Sequence, residues 1–454
     1  MEATRHYERL VRRLQADTRV PAVSAALHRA DRPMWTFTVG TSGDPDRPLD
    51  AGTAFRIGSV TKTFTAVLVM QCRDDGLLDL DDPVGAHLKV DAHGELTIAR
   101  LLSHTSGLQR EPHGDVWDTL DAPDLDRLLA ELARAEQVLP PGRRTHYSNL
   151  GASLLGATVA KLRGGTWSEV LRDRILRPLD LAATTVDRPA QAAVGYLVDS
   201  YSDHARPEPP ADFGATSPAG QLWSTAADMA RWAAFLADPA AADPAGAVLR
   251  PTTLDEMRWP RTVGDEQVWT IGFGLGVMLR PQQERVVHVG HDGAMPGFLA
   301  GVYGRRGPGT PGACGAAVLG SSGTAAAVTE APHALLAAAV EHDPPDIAPW
   351  VPGEPAPAAY RSVLGLWWGE GEPFVFSWHD GTLRARAVDD PRGKPPAVFE
   401  PLPDRPDLLR TVSGRETGEL LRLTRDADAT VVRLHWATYR FTRVQETFDG
   451  KPAS

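Results

Sequence analysis

Between Asp343 and Pro357 the chain carries six prolines: Pro344, Pro345, Pro349, Pro352, Pro355 and Pro357. No helix crosses such a stretch. Each proline removes an N–H donor, its ring collides with the preceding turn, and its N-terminal neighbour is pushed out of helical geometry. A stiff, extended linker over residues 343–358 is therefore expected, dividing the 454-residue chain into two parts of different character.

Residues 1–342 mix helical and strand patterns. An amphipathic helix is expected over residues 3–16. "VSAALHR" and "MWTFTVG" alternate around "ADRP" and predict a hairpin. Helical stretches follow: "SVTKTFTAVLVMQCRDDGLLDL", "LTIARLLSH" with Thr97 as N-cap, "LDRLLAELARAEQVL", and "LGASLLGATVAKLRG" stopped by Gly164 and Gly165. "STAADMARWAAFLADP" adds another, with Ser224 or Thr225 as cap and Asp228 completing a capping-box pattern behind Thr225. Then come the strands "WTIGFGLGVMLR", "RVVHVGHDG", "GFLAGVYGRR" and "GAAVLGSSG", and a closing helix "AAVTEAPHALLAAAVEH". Early strands, many helices and late strands predict an α+β domain in which late strands pair with early ones. After the linker, "PFVFSWHDGTLRARAV", "GELLRLTRD" and "TVVRLHWATYRFTRV" all alternate. Residues 359–454 read as a separate antiparallel β-barrel, with Trp367 and Trp368 either packing it or facing a cleft where they would shape acyl specificity.

Several function classes are disfavoured. A formal net charge of −11 with no arginine-rich tract argues against nucleic-acid partners. The opening "MEATRHYERLVRRLQADTRV" lacks the apolar core of a secretory signal, and no run of about 18 apolar residues occurs. A cytoplasmic protein with no membrane association is expected. Cys72 and Cys314 both sit in apolar runs and read as buried, inert thiols. "GFGLG" precedes no helix, so it is not a dinucleotide fingerprint. His288 and His291 lie three apart on a strand and point to opposite faces, which gives no metal pair. No cofactor is expected.

His-Asp-Gly occurs twice, at 291–293 and 379–381. The second copy lies between alternating strands and reads as a hairpin turn. The first has company elsewhere in the chain. Ser59 and Lys62 stand at i and i+3 of a helix start, where hydroxyl and amine share a face and free N–H groups can hold an oxyanion. Lys62 is one of only five lysines, with Lys89, Lys161, Lys394 and Lys451. It sits in an apolar helix, where an ammonium without a task is costly. Tyr147 and Asn149 fall at the junction of the Pro-Gly turn with the next helix.

Together, Ser59-x-x-Lys62, Tyr147-x-Asn149 and His291-Asp292-Gly293 resemble the three motifs of the serine β-lactamase and penicillin-binding superfamily. The class C-like branch, with its esterases, D-amino-acid peptidases and penicillin-binding-type thioesterases, is the most similar. "LLSHTSGL" and "SPAGQLWSTAADMARW" also resemble recurrent segments of that family, and the likeness spans residues 5–340. The β tail is similar to the lipocalin-like domain of some two-domain members. The resemblance implies a Ser59 nucleophile whose proton is taken jointly by Lys62 and Tyr147, and an oxyanion hole from the N–H groups of Ser59 and Ala294. Asn149 would hold a substrate amide or orient Lys62. His291 would orient Tyr147 or polarise the leaving group, and Gly293 would let the substrate approach the strand. His291 replaces the lysine of Lys-Thr-Gly that helps hold a β-lactam carboxylate, which argues against efficient antibiotic hydrolysis.

The expected function is a serine hydrolase acting on esters or D-residue amides of a small-molecule or peptide acyl substrate. One alternative is a thioesterase or peptide cyclase passing the acyl group to an amine, with Arg440 or Arg443 of the tail binding a carboxylate. The other is a non-catalytic binding protein on the same fold. Oligomeric state is left open.

Overall fold

The computed structural model describes residues 2–310, 312–347, 349–369, 371–390, 394–447 and 449–452. The chain separates into two units, Met1–Pro345 and Asp346–Ser454.

The first unit is built on an eight-stranded antiparallel sheet. Its N-terminal hairpin comprises β1 (Ala22–Arg29) and β2 (Arg32–Gly40). A short β3 (Phe55–Arg56) pairs outside the sheet with β4 (Trp223–Ser224). The late strands are β5 (Thr262–Val263), β6 (Gly272–Phe273), β7 (Met278–Pro281), β8 (Val287–Met295), β9 (Phe298–Arg306) and β10 (Cys314–Gly320). The sheet order is β2-β1-β10-β9-β8-β7-β6-β5. The last strand in sequence thus docks on the first, with Val23 opposite Gly320 and Arg29 opposite Cys314. This is the pairing of early with late strands that the element order predicts.

Helices cover both faces. Tyr7 and Val11 of α1 (Glu2–Thr18) and Leu335 and Leu336 of a long C-terminal helix (Ala327–His342) share one apolar cluster with Val23, Leu27 and Val318. On the other side the helix Ala226–Ala237 brings Met229, Trp232 and Ala233 into a second cluster with Ala26, Val302 and Ala317. Trp232 stacks on Phe64 with centroids 3.9 Å apart, and its indole N–H donates to Thr63 at 2.7 Å. That stack ties the sheet layer to α2 (Thr61–Asp74) and the helical part around it.

Two local expectations need correction. Thr225 caps its helix by accepting from the Asp228 N–H, but the Asp228 carboxylate does not close a capping box. It accepts instead from the Ala183 N–H at 2.9 Å and Thr184 Oγ1 at 3.0 Å. The helix expected across "LDRLLAELARAEQVL" spans only Leu125–Ala130, followed by a 3₁₀ turn, Glu131–Arg134. Beyond it the Gln109 N–H bonds the Glu136 carbonyl, Leu139 N–H bonds the Gly107 carbonyl, and the Gln137 amide bonds Ser106 O. These tertiary bonds hold the segment extended, overriding its helix propensity.

The second unit is a closed barrel of eight antiparallel strands between Gly365 and Thr442. Trp367, Phe374, Phe376, Phe399, Trp436 and Phe441 are all buried in it. His379-Asp380-Gly381 is indeed a turn: His379 pairs with Thr382, and Asp380 and Gly381 have φ of 49° and 70°. Trp367 is buried, its indole donating to Val363 O at 2.6 Å, and Trp368 is half-buried. Cys72 and Cys314 are free and buried, and burial pushes the Cys314 thiol up to about 11.

Candidate active site

Ser59 sits in a 3₁₀ turn, Gly58–Val60, that runs directly into α2. The residue before it, Gly58, has φ of +52°, and a Cβ there would come within 2.6 Å of the Ala294 nitrogen. On the facing strand a Cβ at Gly293 would come within 1.9 Å of the Ile57 carbonyl oxygen. Two glycines therefore let the turn and β8 meet backbone to backbone. The main chains of Ser59 and Ala294 thereby reach one cleft, and the α2 N-terminus adds the positive end of its dipole beside Ser59.

Lys62, one turn further on, is 4% exposed. Its Nζ lies 3.0 Å from Ser59 Oγ and donates to the Ala219 carbonyl at 2.7 Å. That carbonyl belongs to a segment seated on α2: Thr65 donates to Pro218 O at 2.8 Å, and the Leu222 N–H bonds Thr61 Oγ1. Among the described residues no carboxylate is bonded to Lys62. Burial brings its amine down from 10.5 to about 7, with nearby Glu111 opposing the drop and Arg110 reinforcing it.

The Tyr147 ring centroid lies 4.9 Å from Lys62 Nζ. Burial raises its phenol, opposed in part by contact with the Ser59 hydroxyl and by the Arg110 cation. His104 packs on it with centroids 4.3 Å apart, and His104 Nδ1 accepts the Ser148 N–H at 3.3 Å. Burial and the neighbouring Lys62 hold His104 neutral.

Asn149 opens the helix Asn149–Arg163, whose cap is Ser148. Its Nδ2 donates to Glu111 Oε1 at 2.6 Å. A carboxylate only accepts here, so the amide orientation is fixed by chemistry. The arrangement does not have Asn149 bonded to Lys62: the lysine's contacts go to Ser59 and Ala219, and Asn149 is claimed by Glu111. His291 is buried, its Nδ1 donating to the Asp292 carbonyl at 2.5 Å. Burial, with Lys62 close by, lowers it to about 3, so it is a neutral imidazole. Its ring is 6.0 Å from that of Tyr147. Asp292 belongs to the other face of β8 and accepts from Tyr303 at 2.8 Å and Arg280 at 2.9 Å. His288 likewise points away, its Nδ1 2.8 Å from that of His333. Among the described residues no group of three ligands fit for a metal ion occurs.

Ser59, Asn149 and Ala294 line one cavity of about 400 Å³ together with Glu111, Trp117 and Phe213. Ser59, Lys62, Tyr147, Asn149, His291, Gly293 and Ala294 are thus gathered around one cleft. Arg440 and Arg443 lie in the second unit and are engaged there. Arg443 sits 3.9 Å over the Trp367 ring and donates to the carbonyls of Ser362, Leu364 and Leu366. Arg440 pairs with Glu446 at 3.4 Å. Sequence reasoning missed Glu111 and the Ala219 carbonyl. "LQREPHGD" carries no motif, and a backbone carbonyl leaves no signature in residue type.

The family model described as Beta-lactamase matches residues 7–339, and one described as Domain of unknown function (DUF7586) matches residues 356–443. Penicillin-binding protein 4 of Amycolatopsis lactamdurans is 33% identical over 338 residues, covering 70% of this chain and 85% of its own length. Against two other curated relatives the chain spans only 45% and 50% of their length. Among solved structures, SurE is 25% identical with a TM-score of 0.61, covering 98% of this chain and 99% of its own. A D-stereospecific amidohydrolase from Streptomyces sp. is 26% identical with a TM-score of 0.57, covering 73% of this chain and 98% of its own. No helix among the described residues is long and apolar enough to cross a membrane.

Proposed function

The chain belongs to the beta-lactamase family, whose relatives are serine hydrolases, and on that premise we propose that it forms an acyl-enzyme on Ser59 and hydrolyses esters or amides and peptides with a D-residue. The observation that carries this reading is the Lys62 amine, buried, bonded to no carboxylate among the described residues and 3.0 Å from Ser59 Oγ.

A serine hydroxyl attacks a carbonyl only when a neighbour takes its proton. With the amine lowered to about 7, a large fraction of Lys62 is neutral at neutral pH. In that form the Ser59 hydroxyl donates to the Nζ lone pair, and Lys62 removes the proton as Oγ bonds the carbonyl carbon. The raised Tyr147 phenol stays protonated and hands its proton to the leaving group, recovering one from the Lys62 ammonium. The N–H groups of Ser59 and Ala294 hold the oxyanion, donors worth about 3 kcal/mol each in the barrier. Water then attacks the acyl-enzyme, with the same amine as base. Neutral His291, its Nδ1 fixed on the Asp292 carbonyl, adds no charge to that of Arg110, whose cation already disfavours the Lys62 ammonium formed in the reaction. Glu111 lines the cleft with Arg110, its ion-pair partner at 3.5 Å, and the Streptomyces amidohydrolase supports D-residue amides.

A fluorophosphonate probe followed by peptide mass mapping tests the reading. The adduct is expected on Ser59 and lost in Ser59→Ala. Absence of labelling in the wild type would leave a binding protein. Weighing the products of thioester-peptide mimics reports the acceptor: gain of water means hydrolysis, and ring closure means transfer.

A further inference from the structure

The cleft over Ser59 also has an apolar side. Trp117, on the one-turn helix Val116–Thr119, and Phe213 lie with ring centroids 5.3 Å apart, and Leu197 lines the same cavity. Trp117 is 45% and Leu197 36% exposed, so large apolar surface is left open where a ligand enters. Phe213 ends a stretch, Glu208–Phe213, that has no regular structure. Behind it stands Arg56 of β3, 6% exposed. Its guanidinium donates to the Ala211 carbonyl and lies 5.3 Å from the Phe213 ring and 5.2 Å from the Trp223 ring. Among the described residues no carboxylate is hydrogen-bonded to it. Burying a guanidinium without a bonded anion is costly, and burial lowers this one to about 10 with Asp212 only opposing from a distance. The contacts that compensate are the carbonyl of the irregular stretch and the faces of two rings, one of which belongs to the cleft.

We propose that Arg56 is a positioning residue for substrate selection, its guanidinium fixing the Glu208–Phe213 stretch so that Phe213 and Trp117 form a preset slot for an aromatic or branched apolar group of the substrate. The proposal rests on the reading of Ser59 as nucleophile. It explains why a guanidinium is buried with no hydrogen-bonded carboxylate among the described residues. It also assigns the slot a ligand chemistry, a flat or bulky hydrocarbon group next to the scissile bond.

The test uses the full chain with methyl esters and primary amides of phenylalanine and alanine in both enantiomers, together with alanine anilide. The wild type is expected to favour the aromatic member at least about tenfold in kcat/KM, varying either the acyl side chain or the leaving group. Arg56→Met is expected to cut that preference about tenfold through KM, with kcat within about twofold, and Arg56→Lys, which keeps a charged donor, to recover part of it. The rate of fluorophosphonate labelling should be unchanged in both. A retained preference in Arg56→Met overturns the proposal, as does a loss of kcat and labelling for all substrates alike. If Arg56→Met loses its near-UV circular dichroism, Trp117→Ala decides, because its side chain is exposed: a retained aromatic preference there overturns the slot. A wild type that labels without aromatic preference overturns this proposal alone, whereas one that fails to label overturns the hydrolase reading with it.

Discussion

The pH dependence of turnover follows from Lys62. Its amine falls from 10.5 to about 7 because burial penalises the ammonium. That is a preference for the neutral form of roughly 5 kcal/mol, at 1.36 kcal/mol per tenfold. An ordinary exposed lysine at pH 7 offers a free base in only about one molecule in three thousand, whereas Lys62 offers it in about half. Because the deprotonated amine is the active form, kcat/KM should rise with pH and level off above about 7. Below that it should fall tenfold per pH unit. The assay is kcat/KM between pH 5 and 9 with p-nitrophenyl acetate, which has no group titrating in that window. Neighbouring charges then move the limb in opposite directions. Glu111 raises the amine and Arg110 lowers it, so Glu111→Gln should shift the limb to lower pH and Arg110→Gln to higher pH. Lys62→Arg, which cannot deprotonate, should lose at least about 100-fold in kcat at every pH. A profile flat from pH 5 to 9, or a limb near 10, would refute the argument, as would Glu111 and Arg110 variants that shift in the same direction.

Other outcomes follow from the same geometry. Tyr147→Phe should lower kcat about 100-fold or more with little change in KM if the phenol relays the leaving-group proton, as steady-state kinetics would show. Gly293→Ala forces a Cβ into the Ile57 carbonyl, so turnover and Ser59 labelling should both drop at least tenfold as the turn separates from β8. Gly381→Ala, in the other His-Asp-Gly, meets nothing within 4 Å. It should cost only about 1 kcal/mol of stability in denaturant unfolding, for a left-handed φ, and leave turnover intact.

Those two glycines show how far the sequence reaches. The same tripeptide is a turn at 379–381 and the interior of a strand at 291–293. Alternating neighbours identify the first. The second is recognisable only through distant partners, Ser59 and Tyr147, because β8 acquires its role from what packs against it. The S-x-x-K spacing was legible because it lies within one turn of chain, as was the Thr97 cap. Tertiary choices were not. Asp228 prefers Thr184 to its own helix start, and residues 135–139 yield helix to a strand-like bond with the Gly107–Gln109 segment. Glu111 was invisible for the same reason: its meaning lies in reaching Asn149, which follows it by 38 positions.

The second unit carries its own lesson. Trp367, Phe374, Phe376, Phe399, Trp436 and Phe441 are buried inside this cylinder, most of them meeting edge to face, so its described interior is occupied by the chain's own rings. Room for a ligand in this unit lies instead beside Trp368, Tyr439, Arg440 and Glu446, which line a cavity of about 480 Å³.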